Sequence, residues 1–284
     1  MGPEDDRSIL QAGERILLVD AKDRRYLITL RPGTSFHTHV GIVDHDQLIG
    51  VPEGSTVLGS TGRRFLAVRP TLSEAVLKMP RGAQVIDPKD LGAILIQADI
   101  APGMRVLEAG VGSGALSMAL LRAGAEVVGY ELREDFAEGA RKNVVAMGAG
   151  SDRYRVEIRD VYQGIVEVGL DRVLLDLPEP WRVLPHAAVA LRPGGILCAY
   201  LPTINQTSQL RATLDLHGFG MASTLEVLHR TWHIEDRSVR PDHRMVGHTG
   251  FLTSARRLVS VPAPPVGAAL GDEGDEDEDD PEGP

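Results

Sequence analysis

Four acids and a run of glycines are spaced in this chain as a ligand site would need them. The glycines occupy alternate positions, Gly110, Gly112 and Gly114, within RVLEAGVGSGAL at 105–116, and Glu108 stands just ahead of them. Alternate glycines let the backbone turn sharply and bring its N–H groups close to a ligand, while the helix start that follows presents further unpaired donors. The stretch reads as a strand, a tight turn and a helix start, and so as a cradle for a nucleotide or nucleoside. An ordinary glycine-rich connection has the same look, so the residues that follow must decide.

A nucleoside held in that turn needs an acid for its ribose hydroxyls at the end of the next strand, roughly 20 residues on. Glu131, ending VVGYE, is at that place, and a carboxylate there can accept two hydroxyl hydrogen bonds. Asp160 and Asp176 end the next two predicted strands, which sets acids at the carboxyl ends of consecutive strands, where ligands lie in open α/β sheets. Gly110, Gly112 and Ala115 also satisfy G-x-G-x-x-G/A, so a nicotinamide dinucleotide fits the pattern. S-adenosyl-L-methionine fits better, because it offers an ammonium and a sulfonium for Glu108 and Asp160 to match and has no pyrophosphate.

The elements that must position these residues alternate regularly. From the glycine turn onward the pattern predicts helices over 115–122, 134–147, 186–193 and 205–218, with strands in AEVVGYEL, YRVEIRD, DRVLLDLP and GGILCAYL and two closing strands in 221–230 and 248–260. Strands separated by helices imply a mainly parallel sheet covered on both faces. Ahead of them, 71–102 holds a helix with capping-box spacing at Thr71 and Glu74, then a helix from Pro88 with Asp87 as its N-cap. Residues 13–70 carry short strand-like runs, RILLVDA, RYLITLR, HTHVGIV and RRFLAVRP, parted by turn signals such as PEGSTVLGSTG, and predict a small antiparallel β domain. His37 and His39 would share a strand face there, but no third ligand is in view and no metal is expected.

DLPEPW, at 176–181, narrows the chemistry. It resembles the (Asp/Asn)-Pro-Pro-aromatic signature with which adenine and amino-group methyltransferases hold an exocyclic amine, here altered to Asp-Leu-Pro. Its prolines stiffen the loop and fix the direction of the Asp176 side chain. Together with MPRGAQVIDPKD, LEAGVGSGALS, the Glu131 and Asp160 positions, YLPTINQ and GHTGFL, it makes about 13–260 resemble the tRNA adenine-N1 methyltransferases that act on adenosine 58 of the T-loop, closely the bacterial type. One departure is Asp87, where an aromatic is expected in many relatives.

The resemblance implies a class I methyltransferase, Rossmann-like, with a seven-stranded mostly parallel sheet over 103–261, a small N-terminal β domain over 1–70, and a homotetramer. It assigns the donor's methionine end to Glu108, Gly110, Gly112 and the amides of Ser113, Gly114, Ala115 and Leu116, its ribose to Glu131 and its adenine to Asp160. Asp176 would orient the target adenine through its N6 amine beside the donor, and Tyr200 would border that base. The run from His229 to His248 adds Arg230, Trp232, Arg237, Arg240 and Arg244, basic and aromatic groups suited to phosphate contact and stacking on tRNA. A noncatalytic tRNA-binding partner subunit would have lost the glycine and DLPEPW motifs, which this chain keeps. A methyltransferase for protein or small molecules would have no evident use for the DLPEPW site and the basic run.

Composition sets the frame. Hydrophobic residues at 43% and charged ones at 25% suit a globular protein with a sizeable core, and no apolar run approaches the ~18 residues of a membrane helix. The opening MGPEDDRS lacks the basic start and apolar stretch of a secretory signal, which points to the cytoplasm. Cys198 is the only cysteine, excluding an internal disulfide or a cysteine-built metal site. Of the net charge of −10, the tail at 262–284 accounts for nearly all: it carries nine acids and no base, leaving 40 − 9 = 31 acids against 30 Lys and Arg. Such a block cannot bury apolar surface and is expected to be a disordered, solubilising tail, with mimicry of nucleic-acid phosphate as the sharper alternative.

Overall fold

The computed structural model describes residues 8–79, 82 and 84–259; the acidic tail expected over 262–284 lies outside them. The N-terminal part holds β1 (Arg15–Asp20), β2 (Arg25–Thr29), β3 (Ser35–Thr38), β4 (Gly41–Asp44), β5 (Thr56–Leu58) and β6 (Arg64–Val68). Four of these form an antiparallel sheet in the order β2-β1-β6-β5, and Ile16, Leu18, Ile28, Phe65 and Ala67 make its core.

Two expectations fail here. HTHVGIV is not one strand but the hairpin of β3 and β4, because Gly41 takes φ +137° and packs so tightly that a Cβ would sit 2.9 Å from Thr61 Oγ1. His39 therefore lies in the turn, touching Arg24, and shares no strand face with His37. PEGSTVLGSTG, read as a turn, contains β5, a three-residue edge strand paired with β6.

The connection behaves as its caps dictate. Helix α1 (Leu72–Lys78) starts on a reciprocal Thr71–Glu74 capping box, and α2 (Pro88–Gln97) starts on Asp87, whose side chain accepts from Lys89 N at 2.9 Å.

The remainder runs β7 (Arg105–Ala109), α3 (Ala115–Arg122), β8 (Glu126–Glu131), α4 (Glu134–Ala146), β9 (Tyr154–Ile158), β10 (Leu170–Leu175), α5 (Leu184–Ala190), β11 (Leu191–Leu201), α6 (Ile204–Thr213), β12 (Phe219–Glu226), β13 (Trp232–Glu235), β14 (Ser238–Pro241) and β15 (Phe251–Arg257). Seven strands form one sheet, β12-β15-β11-β10-β7-β8-β9, parallel except for β15, which runs antiparallel to both neighbours. Successive residues of one strand serve opposite layers. Val106 packs with Leu116, Leu120 and Val127 on one face, and Leu107 with Val173, Leu184 and Leu197 on the other.

The chain winds outward from β7 through β8 to β9, then returns to set β10 on the other side of β7. The connections leaving β7 and β10 therefore diverge and leave a crevice at the strands' carboxyl ends. The glycine turn follows β7 and DLPEPW follows β10, so topology alone brings the two motifs together.

Candidate active site

The glycine turn is shaped by what crosses it. Gly110 takes φ +87°, and a Cβ there would collide with the Asp176 carbonyl, while Asp176 N donates to Ala109 O at 3.0 Å. Only glycine allows the two connections this close an approach. Gly112 also takes a left-handed φ, +54°, but a Cβ on it would meet nothing within 4 Å. Gly114 N-caps α3 with φ +82°, close against Ala140.

The acids are engaged by the protein's own groups. Glu108 is fully buried and accepts from Ser117 Oγ at 2.5 Å; burial above all, with Asp176 and Glu131 nearby, pushes its pKa up to about 8 against the opposing Ser117 hydrogen bond. Glu131 accepts from Gly112 N at 3.0 Å, Leu132 N at 2.9 Å and Arg133 N at 3.0 Å, so it braces the glycine turn. Asp160 caps the short turn after β9 through Tyr162 N at 2.9 Å. Ser113 O accepts from Asn143 Nδ2 at 3.0 Å, and Asn143 Oδ1 accepts from Arg15 Nη2 at 3.1 Å, tying the turn to the N-terminal sheet.

Glu108, Gly110, Gly112, Ser113, Ala115, Leu116 and Asp176 line one cavity, with Gln84, Val85 and Ile86 facing them. Gly114, Glu131 and Asp160 stand outside that lining. Its lining combines backbone N–H groups at a helix start, an open face beside Gly112, and two carboxyls.

Asp176 differs from the other acids. Its half-buried carboxyl has no hydrogen-bond partner among the described residues, and burial pushes its pKa up to about 7. DLPEPW is held from behind, with Gln206 Nε2 donating to Pro178 O at 2.9 Å. Tyr200, at the end of β11, donates to Asp90 Oδ2 at 3.2 Å, and burial raises its hydroxyl pKa. Gly250 lies against its ring, where a Cβ would come to 2.5 Å from Cζ.

This geometry coincides with a known family. The profile described as the tRNA methyltransferase complex GCD14 subunit matches residues 65–243, and the one described as TrmI-like N-terminal matches 9–57. The chain belongs to the GCD14 family. Among its relatives, the tRNA (adenine(58)-N(1))-methyltransferase TrmI of a Thermus thermophilus strain is 40% identical over 246 residues, covering 85% of this chain and 96% of that protein. The tRNA (adenine(57)-N(1)/adenine(58)-N(1))-methyltransferase TrmI of Methanocaldococcus jannaschii is 36% identical over 278 residues, covering 88% and 96%. Of solved structures, tRNA (m1A58) methyltransferase TrmI from Aquifex aeolicus superposes with a TM-score of 0.78 at 31% identity, over 89% of this chain and 100% of that one. A protein described as an SAM-dependent O-methyltransferase, from Thermotoga maritima, superposes at 0.85 with 31% identity, over 90% and 97%. The fold is thus a class I methyltransferase sheet with an added N-terminal β module.

In this GCD14-family chain the basic run forms the hairpin of β13 and β14, outside the main sheet. Arg230, Trp232, Arg237, Arg240 and Arg244 are all exposed, and the Arg230 guanidinium lies 5.9 Å from the Trp232 ring centroid. The register pairs Trp232 with Pro241 and Ile234 with Val239, so these four form an apolar face, while His233, Glu235, Ser238 and Arg240 form the other. Trp232, Ile234 and Val239 are 56%, 73% and 60% exposed, a face that a two-stranded ribbon cannot cover alone.

Near this cavity the fold also gathers residues whose types carry no signal of their own in the sequence: Lys89 and Asp90 from α2, and His248, Thr249 and Gly250 ahead of β15. His248 Nδ1 lies 2.6 Å from Glu226 Oε1 and Nε2 2.7 Å from Pro202 O, two acceptors that raise its pKa. Their signal was present only as parts of MPRGAQVIDPKD and GHTGFL, with no spacing that announced a joint role.

Proposed function

We propose that this chain is a tRNA methyltransferase that transfers a methyl group from S-adenosyl-L-methionine to N1 of adenosine 58 in the tRNA T-loop. The observation that carries this reading is the Asp176 carboxyl, without a hydrogen-bond partner among the described residues, in the cavity it shares with Glu108 and the glycine turn.

Adenine N1 carries a free lone pair at neutral pH, so it attacks without prior loss of a proton, and the product base is cationic. The donor supplies an electrophilic methyl group on a positively charged sulfur. What the protein must do is position and stabilise charge. Asp176 accepts a hydrogen bond from the N6 amine, which fixes the base, enriches N1 and offsets the positive charge that develops there. A cationic donor and an amine nearby both favour the ionised carboxyl over the protonated one. Glu108 and the amides from Ser113 to Leu116 hold the methionine end, Glu131 the ribose and Asp160 the adenine of the donor. Tyr200 borders the target base.

N1 lies on the Watson–Crick edge, so the nucleotide leaves its stack at a cost of a few kcal/mol. Arg230, Arg237, Arg240 and Arg244 contact tRNA phosphates and offset that cost, with Trp232 available for stacking. Ile234 and Val239, beside Trp232 on the apolar face of the β13–β14 hairpin, suit contact with another copy of the chain, in keeping with a homotetramer. No helix among the described residues is long and apolar enough to cross a membrane, and a tRNA substrate places the work in the cytoplasm.

The test is to incubate the protein with labelled methyl donor and unmodified tRNA, digest the RNA and map the labelled nucleoside. We expect 1-methyladenosine at position 58. Label on a ribose or base oxygen, or on any nucleoside other than adenosine, would overturn the assignment.

A further inference from the structure

Three segments far apart in the chain meet behind Tyr200 in a small cluster whose central ion pair is shielded from solvent. Lys89 and Asp90 belong to the first turn of α2, Thr249 and Gly250 precede β15, and Tyr200 is the penultimate residue of β11. The side chains of Lys89 and Asp90 are each 3% exposed, and their ions pair at 2.8 Å.

Every polar atom of the cluster is used. Lys89 Nζ spends its three protons on Asp90 Oδ1 at 2.8 Å, Val227 O at 2.6 Å and Thr249 Oγ1 at 2.6 Å. Thr249 Oγ1 passes its own proton to Asp90 Oδ2 at 2.6 Å, and that same oxygen accepts the Tyr200 hydroxyl at 3.2 Å. The phenol end of the ring is closed in by the Gly250 backbone, where a Cβ would come to 2.5 Å from Cζ and 2.7 Å from the hydroxyl oxygen.

A buried ion pair is a poor source of stability, because desolvating two charges offsets much of their attraction; its firmer use is to specify one arrangement. Here the arrangement specified is that of a half-buried tyrosine that follows Ala199, whose register partner Leu175 immediately precedes Asp176. We propose that Asp90, locked by Lys89 and Thr249, is a positioning residue that fixes the Tyr200 ring beside Asp176, so that the target adenine meets a surface already in place. This rests on the reading that Tyr200 borders that base. A ring that must be ordered at each encounter costs turnover; a ring ordered in advance does not.

The experiment labels the five tyrosines with 3-fluorotyrosine, assigns the Tyr200 fluorine resonance by its loss in Tyr200→Phe, and measures tRNA turnover in parallel. Asp90→Asn and Thr249→Val should each move the Tyr200 resonance, leave the other four in place and lower kcat about tenfold, with the donor Kd within about twofold. Thr249→Ser, which keeps the hydroxyl, should restore most of what Thr249→Val loses. Because Asp90→Asn strips Lys89 of its counter-charge and invites misfolding, Thr249→Val carries the test if that variant is not obtained folded. The double variant Asp90→Asn/Tyr200→Phe should be no more than about twofold slower than its slower parent, since both changes break one linkage.

An unmoved Tyr200 resonance in Thr249→Val, or effects of Asp90→Asn and Tyr200→Phe that multiply, would overturn the clamp. Full turnover in Tyr200→Ala would instead sink the placement of the base against Tyr200, while the resonance shift would still establish the clamp.

Discussion

The proposed donor half and the proposed target half of this site face each other across one crevice, yet they are held in opposite ways. On the donor side the acids are already engaged: Glu108 with Ser117, Glu131 with three backbone N–H groups, Asp160 with the turn it caps. These contacts are mostly local in sequence and would form wherever a strand meets such a turn. On the target side Asp176 has no partner among the described residues, and Tyr200 is held by Asp90, 110 positions away. The difference teaches where the protein keeps its unsatisfied chemistry. The proposed donor side is braced by the protein's own contacts, and the proposed target side holds one half-buried carboxyl without a partner among the described residues.

The comparison breaks most visibly at Asp176. Asp176→Ala should lower turnover by about a thousandfold, the scale of losing one preorganised electrostatic contact, while donor affinity stays within a few-fold. Single-turnover methylation and donor titration measure the two separately, and near-normal turnover would refute the assigned role.

Gly110→Ala attacks both halves together. Its Cβ has no room beside the Asp176 carbonyl and its φ is +87°, so a loss of roughly 3 kcal/mol or more, with donor binding and turnover lost jointly, is expected. Gly112→Ala, strained but unobstructed, should cost only about 1–2 kcal/mol. Similar melting curves for the two variants would show that close approach of the two connections is not what requires glycine at position 110.

Glu131→Ala should act on the donor half alone. Removing a charged hydrogen-bonding group weakens binding by about tenfold to a hundredfold, with kcat at saturating donor nearly kept. A fall in kcat with unchanged donor affinity would contradict the division of labour.

The smallest effect is on stability against pH. Burial sets the Asp176 pKa at about 7 in the folded protein, above the ordinary value of 3.8. Between those values the folded state holds a proton that the unfolded chain has lost, so stability falls as pH rises through this window and the loss is complete above about 7. Asp176→Asn has no proton to lose, and its gain in Tm over the parent should be larger at pH 8 than at pH 5. Equal gains at both pH values would show that the carboxyl is not held protonated by burial.

Much of the fold was legible because its signals are local. Thr71 and Glu74 announce a capping box, Asp87 and Pro88 announce a helix start, and the predicted helix over 115–122 is α3 as observed. The failures are equally physical. Three residues of β5 carry no pattern of their own and become a strand only by pairing with β6, and the turn that splits HTHVGIV is held by a residue distant in sequence, Thr61, whose Oγ1 donates to Val40 O. The hairpin of β13 and β14 was readable as basic and aromatic, but its sorting of Trp232 and Ile234 away from Arg240 follows from register, which composition does not carry.

By itself, then, the sequence determined the glycine turn, the acids at the ends of their strands, and the stiff loop that presents Asp176, since each depends on residues a few positions apart. Only the tertiary structure decided which acid lacks a partner among the described residues and which residues hold Tyr200. Those outcomes depend on burial and on hydrogen-bond partners drawn from α2, β11 and the segment before β15, and nothing in the spacing of Lys89, Asp90, Tyr200 and Thr249 along the chain brings them together.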